Sequence, residues 1–288
     1  MRLQLECLPC FLRQVLEATK IVNAPQDVKE VAMLKTLDVL KNFKSFSTPP
    51  ELARDIHHEL KGLLKEKDPY KPLKDECISL AKKVLTELKE ELEKGDQREK
   101  LEFRIRLSGV GNTFDAGAYS IKDMKKLVAS IKEELKKEFA VWHFEKFWES
   151  LKKAKKVLII GDNAGETVFD KVLIDELKNY AEVTYAVRPE PIINDATVED
   201  AINSGIHEVA RIIPTGCNLP GVVLKECNEE FLKEFESADI VISKGQGNFE
   251  SLSEEKKTGL FFLLKIKCPV IARHVGIGVG NYVFLSYI

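Results

Sequence analysis

The sequence predicts an α/β protein: an all-helical first half, then an open, mostly parallel sheet with helices on both faces. Three observations carry that prediction. The first half of the 288 residues repeats apolar side chains at helical spacing. The second half switches to short, wholly apolar runs, the pattern of parallel strands covered on both sides. Those runs alternate with helical stretches, as βαβ units do.

Taken in order, Leu8, Phe11, Leu12, Val15 and Leu16 fall on one helical stripe. Val28, Val31, Leu34, Leu37 and Leu40 form a second, and Leu73, Cys77, Ala81, Val84, Leu88 and Leu92 a long third. Thr48-Pro49-Pro50 reads as a helix start, since proline early in a helix gives up a donor that has no partner there. Further helices are expected over 121–139 and 143–153, with Trp142 and Trp148 packing the junction between the halves. His57-His58 is expected on a solvated helix surface, and the Lys/Glu-rich stretch 89–100 reads the same way.

In the second half the expected strands are 157–160, 183–187, 209–213, 240–243, 270–272 and 282–285. The expected helices are 166–180, 198–204, 225–236 and 253–264. Gly276, Gly278 and Gly280 then belong to a turn between the last two strands. The architecture is Rossmann-like, divided as a helical domain or cap over 1–153 and an α/β domain over 154–288.

With 44 Lys plus Arg against 46 Asp plus Glu, the net charge of -2 offers no broad attraction to nucleic acid or membrane. Any phosphate-bearing partner must be recognised locally. The first twenty residues carry charges inside their apolar stretch, unlike a signal peptide, and no segment approaches a membrane span. Six scattered cysteines read as thiols, so the expected location is the cytoplasm.

In open α/β sheets ligands bind beyond the carboxyl ends of the strands. Those positions hold Gly161-Asp162-Asn163-Ala164-Gly165-Glu166, then Arg188 with Asn194-Asp195, then Thr215 to Asn218, then Lys244-Gly245-Gln246-Gly247-Asn248, and Arg273-His274. Each alone is an ordinary capping or turn residue. Together they suggest metal-assisted phosphoryl transfer, because Asp and Asn oxygens suit Mg²⁺ or Mn²⁺ and Lys244 can receive phosphoryl oxygens. The close Gly-x-Gly spacing of a dinucleotide site is missing from GDNAGE.

These motifs resemble the damage-control phosphatase family, once catalogued as a domain of unknown function. The likeness is carried by GDNAGETVFD at 161–170, PIINDAT at 191–197, KGQGN at 244–248, and Arg106 with GNTFD at 111–115. It implies a metal-dependent phosphatase of small phosphorylated metabolites or their damaged forms, with Mn²⁺, Mg²⁺, Co²⁺ or Ni²⁺ as cofactor. Asp162, Asn163 and Asp195 match the metal ligands, with Asp162 and Asp195 catalytic. Glu166, Lys244 and Asn248 match substrate-side positions, while Asn112, Asp115 and Arg106 reach the crevice from the helical half. The basic Arg-Thr-Leu-Lys motif of other branches is absent, and Arg273 is the nearest substitute.

Cys7-Leu8-Pro9-Cys10 looks like the CxxC of the stand-alone, prokaryotic-type branch. The spacing suits a second metal or a redox pair, yet zinc needs about four ligands and no second CxxC exists, so free core cysteines are the alternative. Two other functions stand beside the phosphatase. A non-catalytic nucleotide or sugar-phosphate binder would use the same crevice, and a carboxyl methyltransferase would need a glycine-rich loop where GDNAGE stands.

Overall fold

The computed structural model describes residues 1–113 and 124–287. Among them, seven strands form one sheet in the order β1-β7-β6-β5-β2-β3-β4. The strands are β1 Val141–Trp142, β2 Lys156–Ile160, β3 Glu182–Val187, β4 Arg211–Pro214, β5 Ile240–Lys244, β6 Leu260–Lys265 and β7 Tyr282–Leu285. Every neighbouring pair is parallel except β6 with β7. The chain moves outward from β2 through β3 to β4, then returns to lay β5 on the other side of β2. The carboxyl ends of β2 and β5 therefore flank a topological switch point, where the crevice of such a sheet opens.

Alternation along β2 divides the core. Val157 and Ile159 pack with the helices Lys71–Glu87, Gln97–Gly111 and Thr167–Leu177, while Leu158 and Ile160 face Glu229–Ser237 and Gly245–Leu252. The first three helices keep a smaller core built on Phe11, Val15, Leu52, Ile56 and Leu60. The helices over 71–111, β1 and the helix Phe144–Leu151 all precede residue 154 and share the main sheet's core. Trp142 stacks on Phe144, and Trp148 meets Tyr180 edge-on.

Local chemistry explains the starts. Glu51 Oε2 accepts from the Thr48 N–H at 2.8 Å, completing a capping box at Pro49–Leu64 with proline in its first turn. Asp96 and Glu99 form another at Gln97–Gly111, each accepting the other's N–H at 2.9 Å.

Three expectations change. The segment 253–264, expected as a helix, holds β6, and the helix comes earlier at Gly245–Leu252. Leu260 to Leu264 is apolar throughout, and a short run of that kind has no period to separate a buried strand from a buried helix. The strand expected at 270–272 lies instead in the helix Pro269–Val275, which Pro269 and the Cys268 cap start. His57 is 2 % exposed rather than solvated, tilted against the Tyr70 ring, while His58 is exposed. Its burial pushes the imidazole down to about 4. Among the described residues no helix is long and apolar enough to cross a membrane.

Candidate active site

The turn after β2 and the loop after β3 are knitted together by backbone. Ala196 N–H donates to the Asp162 carbonyl at 2.7 Å and Ala164 N–H to the Asn194 carbonyl at 2.9 Å, making Asn163 and Asp195 partners in an isolated bridge. Ile193 takes a left-handed φ of 48° to make this turn. Asp162, Asn194 and Asp195 consequently line one cavity of about 230 Å³.

Two side-chain amides cross-link the acids. Asn112 Nδ2 donates to Asp162 Oδ2 at 2.9 Å and also to Glu166 Oε1. Asn163 Nδ2 donates to Asp162 Oδ2 at 3.0 Å and to Glu166 Oε1 at 2.5 Å. Asn112 comes from the C-terminal end of Gln97–Gly111, so the helical half does reach the crevice. Arg188, at the end of β3, donates through Nε to Asp195 Oδ2 at 2.7 Å and through Nη2 to Asn248 Oδ1 at 2.8 Å. Asn248 in turn donates to the carbonyls of Gly161 and Lys244.

Lys244 lies beneath this layer and is fully buried. Its ammonium donates to Glu166 Oε2 at 2.9 Å, Asp170 Oδ1 at 2.7 Å and the Ser108 carbonyl at 3.2 Å. Those three bonds use all three of its donors. The residue expected to receive phosphate is therefore committed to the protein's own carboxylates. Ser108 and Tyr185 complete the network by donating to Asp170 at 2.6 Å and 2.7 Å.

The electrostatics follow from this crowding. Burial first, then repulsion from Glu166 and Asp195, pushes the Asp162 carboxyl well above the usual carboxylate range. Burial also raises Asp195 against the opposing pull of Arg188. Burial alone would lower the Lys244 ammonium, but Asp170 and Glu166 reverse that and hold it above its ordinary value. Gly245, at φ 74°, begins the next helix so close to the Asp162 carboxylate that a Cβ there would stand 1.8 Å from Oδ2.

A family model for the damage-control phosphatase ARMT1-like domain matches residues 3–283. The chain belongs to the damage-control phosphatase family. A damage-control phosphatase of Pyrococcus horikoshii is 34% identical over 289 residues, covering 98% of this chain and 97% of that one. One from Archaeoglobus fulgidus is 32% identical over 282 residues, covering 96% of each. An uncharacterized protein of Methanocaldococcus jannaschii is 38% identical, covering 98% of this chain and 94% of its own length. The crystal structure of a DUF89-family protein from Pyrococcus horikoshii superposes with a TM-score of 0.92 at 34% identity, covering all of both chains.

Within this damage-control phosphatase fold, Asp162, Asn163, Glu166, Asp195, Asn112, Lys244 and Asn248 form one connected set. Cys7 and Cys10 line the same cavity from the first helix, together with Cys268. Two expected members lie elsewhere. The Arg106 guanidinium sits 4.3 Å over the Trp142 ring, and Arg273 is exposed and paired to Glu6 at 2.6 Å. Asp115 lies outside the described residues. Ser108 and Tyr185 carry no sequence signal for the site, while Arg188 is legible only as a strand-end residue and Asp170 only as part of a motif, neither with a specific role. Arg188 stands at a strand end and Asp170 four residues after Glu166, one helical turn on, which were the available signals.

The oxygen-rich set has the chemistry of a site for a hard divalent cation. Asp162 and Asp195 offer hard oxygens to one cavity, and their mutual repulsion is what a divalent cation would relieve. Asn112 Oδ1 and Arg188 Nη1 are buried without a protein partner among the described residues. Among the described residues no three His, Cys, Asp or Glu side chains converge closely enough to hold an ion by themselves, and the amides of Asn112 and Asn163 stand beside the Asp162 carboxylate.

Proposed function

We propose that this protein is a divalent-metal-dependent phosphomonoester hydrolase acting on small phosphorylated metabolites in the cytoplasm. The observation that carries the reading is the meeting of Asp162 and Asp195 on one small cavity at the β2/β5 switch point, with Asn163 bridged to Asp195 and bonded to Asp162 beside it. Asp162, Asp195 and the Asn163 amide oxygen, after a half-turn of that amide, would hold Mn²⁺, Mg²⁺, Co²⁺ or Ni²⁺. The ion would neutralise phosphoryl charge and lower the pKa of a bound water. The six free cysteines fit a reducing compartment.

The protein's own groups do the positioning. Arg188 fixes Asp195 by one arm and Asn248 by the other. The first turn of Gly245–Leu252 brings Gln246 and Gly247 to the cavity wall, where backbone N–H groups without helical partners suit an anion. Cys7, Phe11, Pro49 and Ala53 close the opposite side, limiting the substrate to a small molecule and reducing access of bulk water.

The test is phosphate release from a panel of small phosphate esters by chelator-stripped protein, with each of the four cations added back. Activity should vanish on stripping, return with metal and be absent in Asp162→Asn. Release that survives chelation, or full activity in that variant, overturns the assignment.

A further inference from the structure

We propose that Cys217 and Cys227 form a reversible disulfide that tightens one wall of the active-site cavity. The Cys227 thiol donates to Cys217 Sγ across 3.4 Å, and both cysteines are free. The bond needs the sulfurs to close by about 1.4 Å, within reach of side-chain rotation.

The backbone holds the pair in opposition. Asn228 N–H donates to the Thr215 carbonyl at 3.1 Å and Asn228 Nδ2 to the Pro214 carbonyl at 3.0 Å, pinching the loop between them into a neck. The two cysteines stand just inside it. At the tip, Pro220 lines the cavity beside Asp162, and its carbonyl packs so closely on Gly247 that a Cβ there would be 2.1 Å away. A cross-link at the neck therefore bears on the cavity wall.

The surroundings favour oxidation at this pair. The Cys227 S–H, outweighing burial and aided by the Arg188 guanidinium, brings the Cys217 thiol down to about 6. Thiolate is the form that attacks a peroxide oxygen. Cys217 is buried, and Cys227 in contact with it is half-buried. With hydrogen peroxide as oxidant, Cys217 sulfur takes one oxygen as the O–O bond breaks and hydroxide leaves, taking up the thiol's proton. Cys227 sulfur then displaces the hydroxyl from the Cys217 sulfenic acid, its proton leaving in the second water. Two thiols and one peroxide give one disulfide and two waters. A dithiol reductant reverses the bond by exchange.

The test uses the whole reduced protein, treated with hydrogen peroxide, alkylated and mapped by mass spectrometry. A peptide joining 217 to 227 should appear, with the other four of the six cysteines alkylated, and disappear on reduction with dithiothreitol. In Cys227→Ser no linked peptide forms and dimedone traps the Cys217 sulfenic acid. Both cysteines remaining alkylatable, or Cys7 linked to Cys10 instead, overturns the site, whatever the protein hydrolyses. Coupling to the cavity is read separately: KM for a phosphate ester should shift roughly fivefold on oxidation and recover on reduction, the scale of coupling through a packed loop. An unchanged KM in fully cross-linked protein overturns that part.

Discussion

Alanine at Gly245 should disable the site while sparing the fold. Gly245 opens its helix at φ 74°, and a methyl there would stand 1.8 Å from Asp162 Oδ2 and 2.1 Å from its Cγ. Real Cβ contacts do not fall below 3.0 Å, so the carboxylate must retreat by about 1.2 Å. A displacement of about 1 Å at reacting groups costs about a hundredfold in rate. The left-handed backbone adds strain of roughly 1 kcal/mol. Gly276 supplies the control, since its φ is 78° but a Cβ there meets nothing within 4 Å. Gly276→Ala carries the strain without the push. Measured by calorimetry, both variants should lose stability to the strain, and Gly245→Ala somewhat more because the displaced carboxylate loosens its bonds to Asn112 and Asn163. Measured by kcat/KM on a phosphate ester at saturating Mn²⁺, only Gly245→Ala should fall, by about a hundredfold. Gly245→Ala within fivefold of the parent, or Gly276→Ala equally impaired, would refute the claim that the Asp162 position sets the rate.

Arg188→Lys keeps the charge but loses the fork that spans Asp195 and Asn248. Mn²⁺ titrations should show activity or metal affinity reduced by about 10–100-fold, as for other residues behind metal ligands, and unchanged titration would remove Arg188 from that role. Lys244→Met leaves Glu166 and Asp170 buried without their cation and should cost about 3–5 kcal/mol in urea unfolding; a loss under 1 kcal/mol would contradict the network. His57 titrates near 4 in the fold against 6.5 ordinarily, so the folded protein binds its proton more weakly than the unfolded chain. Stability should therefore decline as pH falls from 6.5 to 4, by about 3 kcal/mol in all, and urea unfolding of His57→Gln at several pH values should lack that component.

The sheet was legible where the chain offered contrast. Val157 to Ile160 and Ile240 to Ser243 are bounded by Gly161 and by Lys244-Gly245, so both strands and the residues beyond them could be named. Contrast failed at Gln97–Gly111. Its last five residues, Leu107 to Gly111, are buried all round, which erases the stripe that marks a helix with one wet face. That helix nonetheless delivers Ser108 and Asn112. His57 misled for a related reason: a histidine pair suggests solvent, and nothing local reveals that Tyr70 covers one ring and leaves the other exposed.

Lys244 shows why strand-end reasoning finds a site without assigning its members. The rule places Lys244 at the crevice, which is correct for its backbone, but the direction of an ammonium depends on which carboxylates approach from other elements. Glu166 caps the helix Thr167–Leu177 and Asp170 lies one turn into it, so the two present their acids to the ammonium together. A buried lysine with three protein acceptors fixes Glu166, and Glu166 in turn anchors both amides that contact Asp162. Among the described residues the order of support therefore runs upward from a buried lysine shared by two acids to Asp162, whose side-chain bonds come from amides and not from a cation. If Asp162 faces a metal, its oxygens are held by amides, which a cation can displace, and not by a direct ion pair, and the hydrogen-bonded layer below is what keeps it aimed.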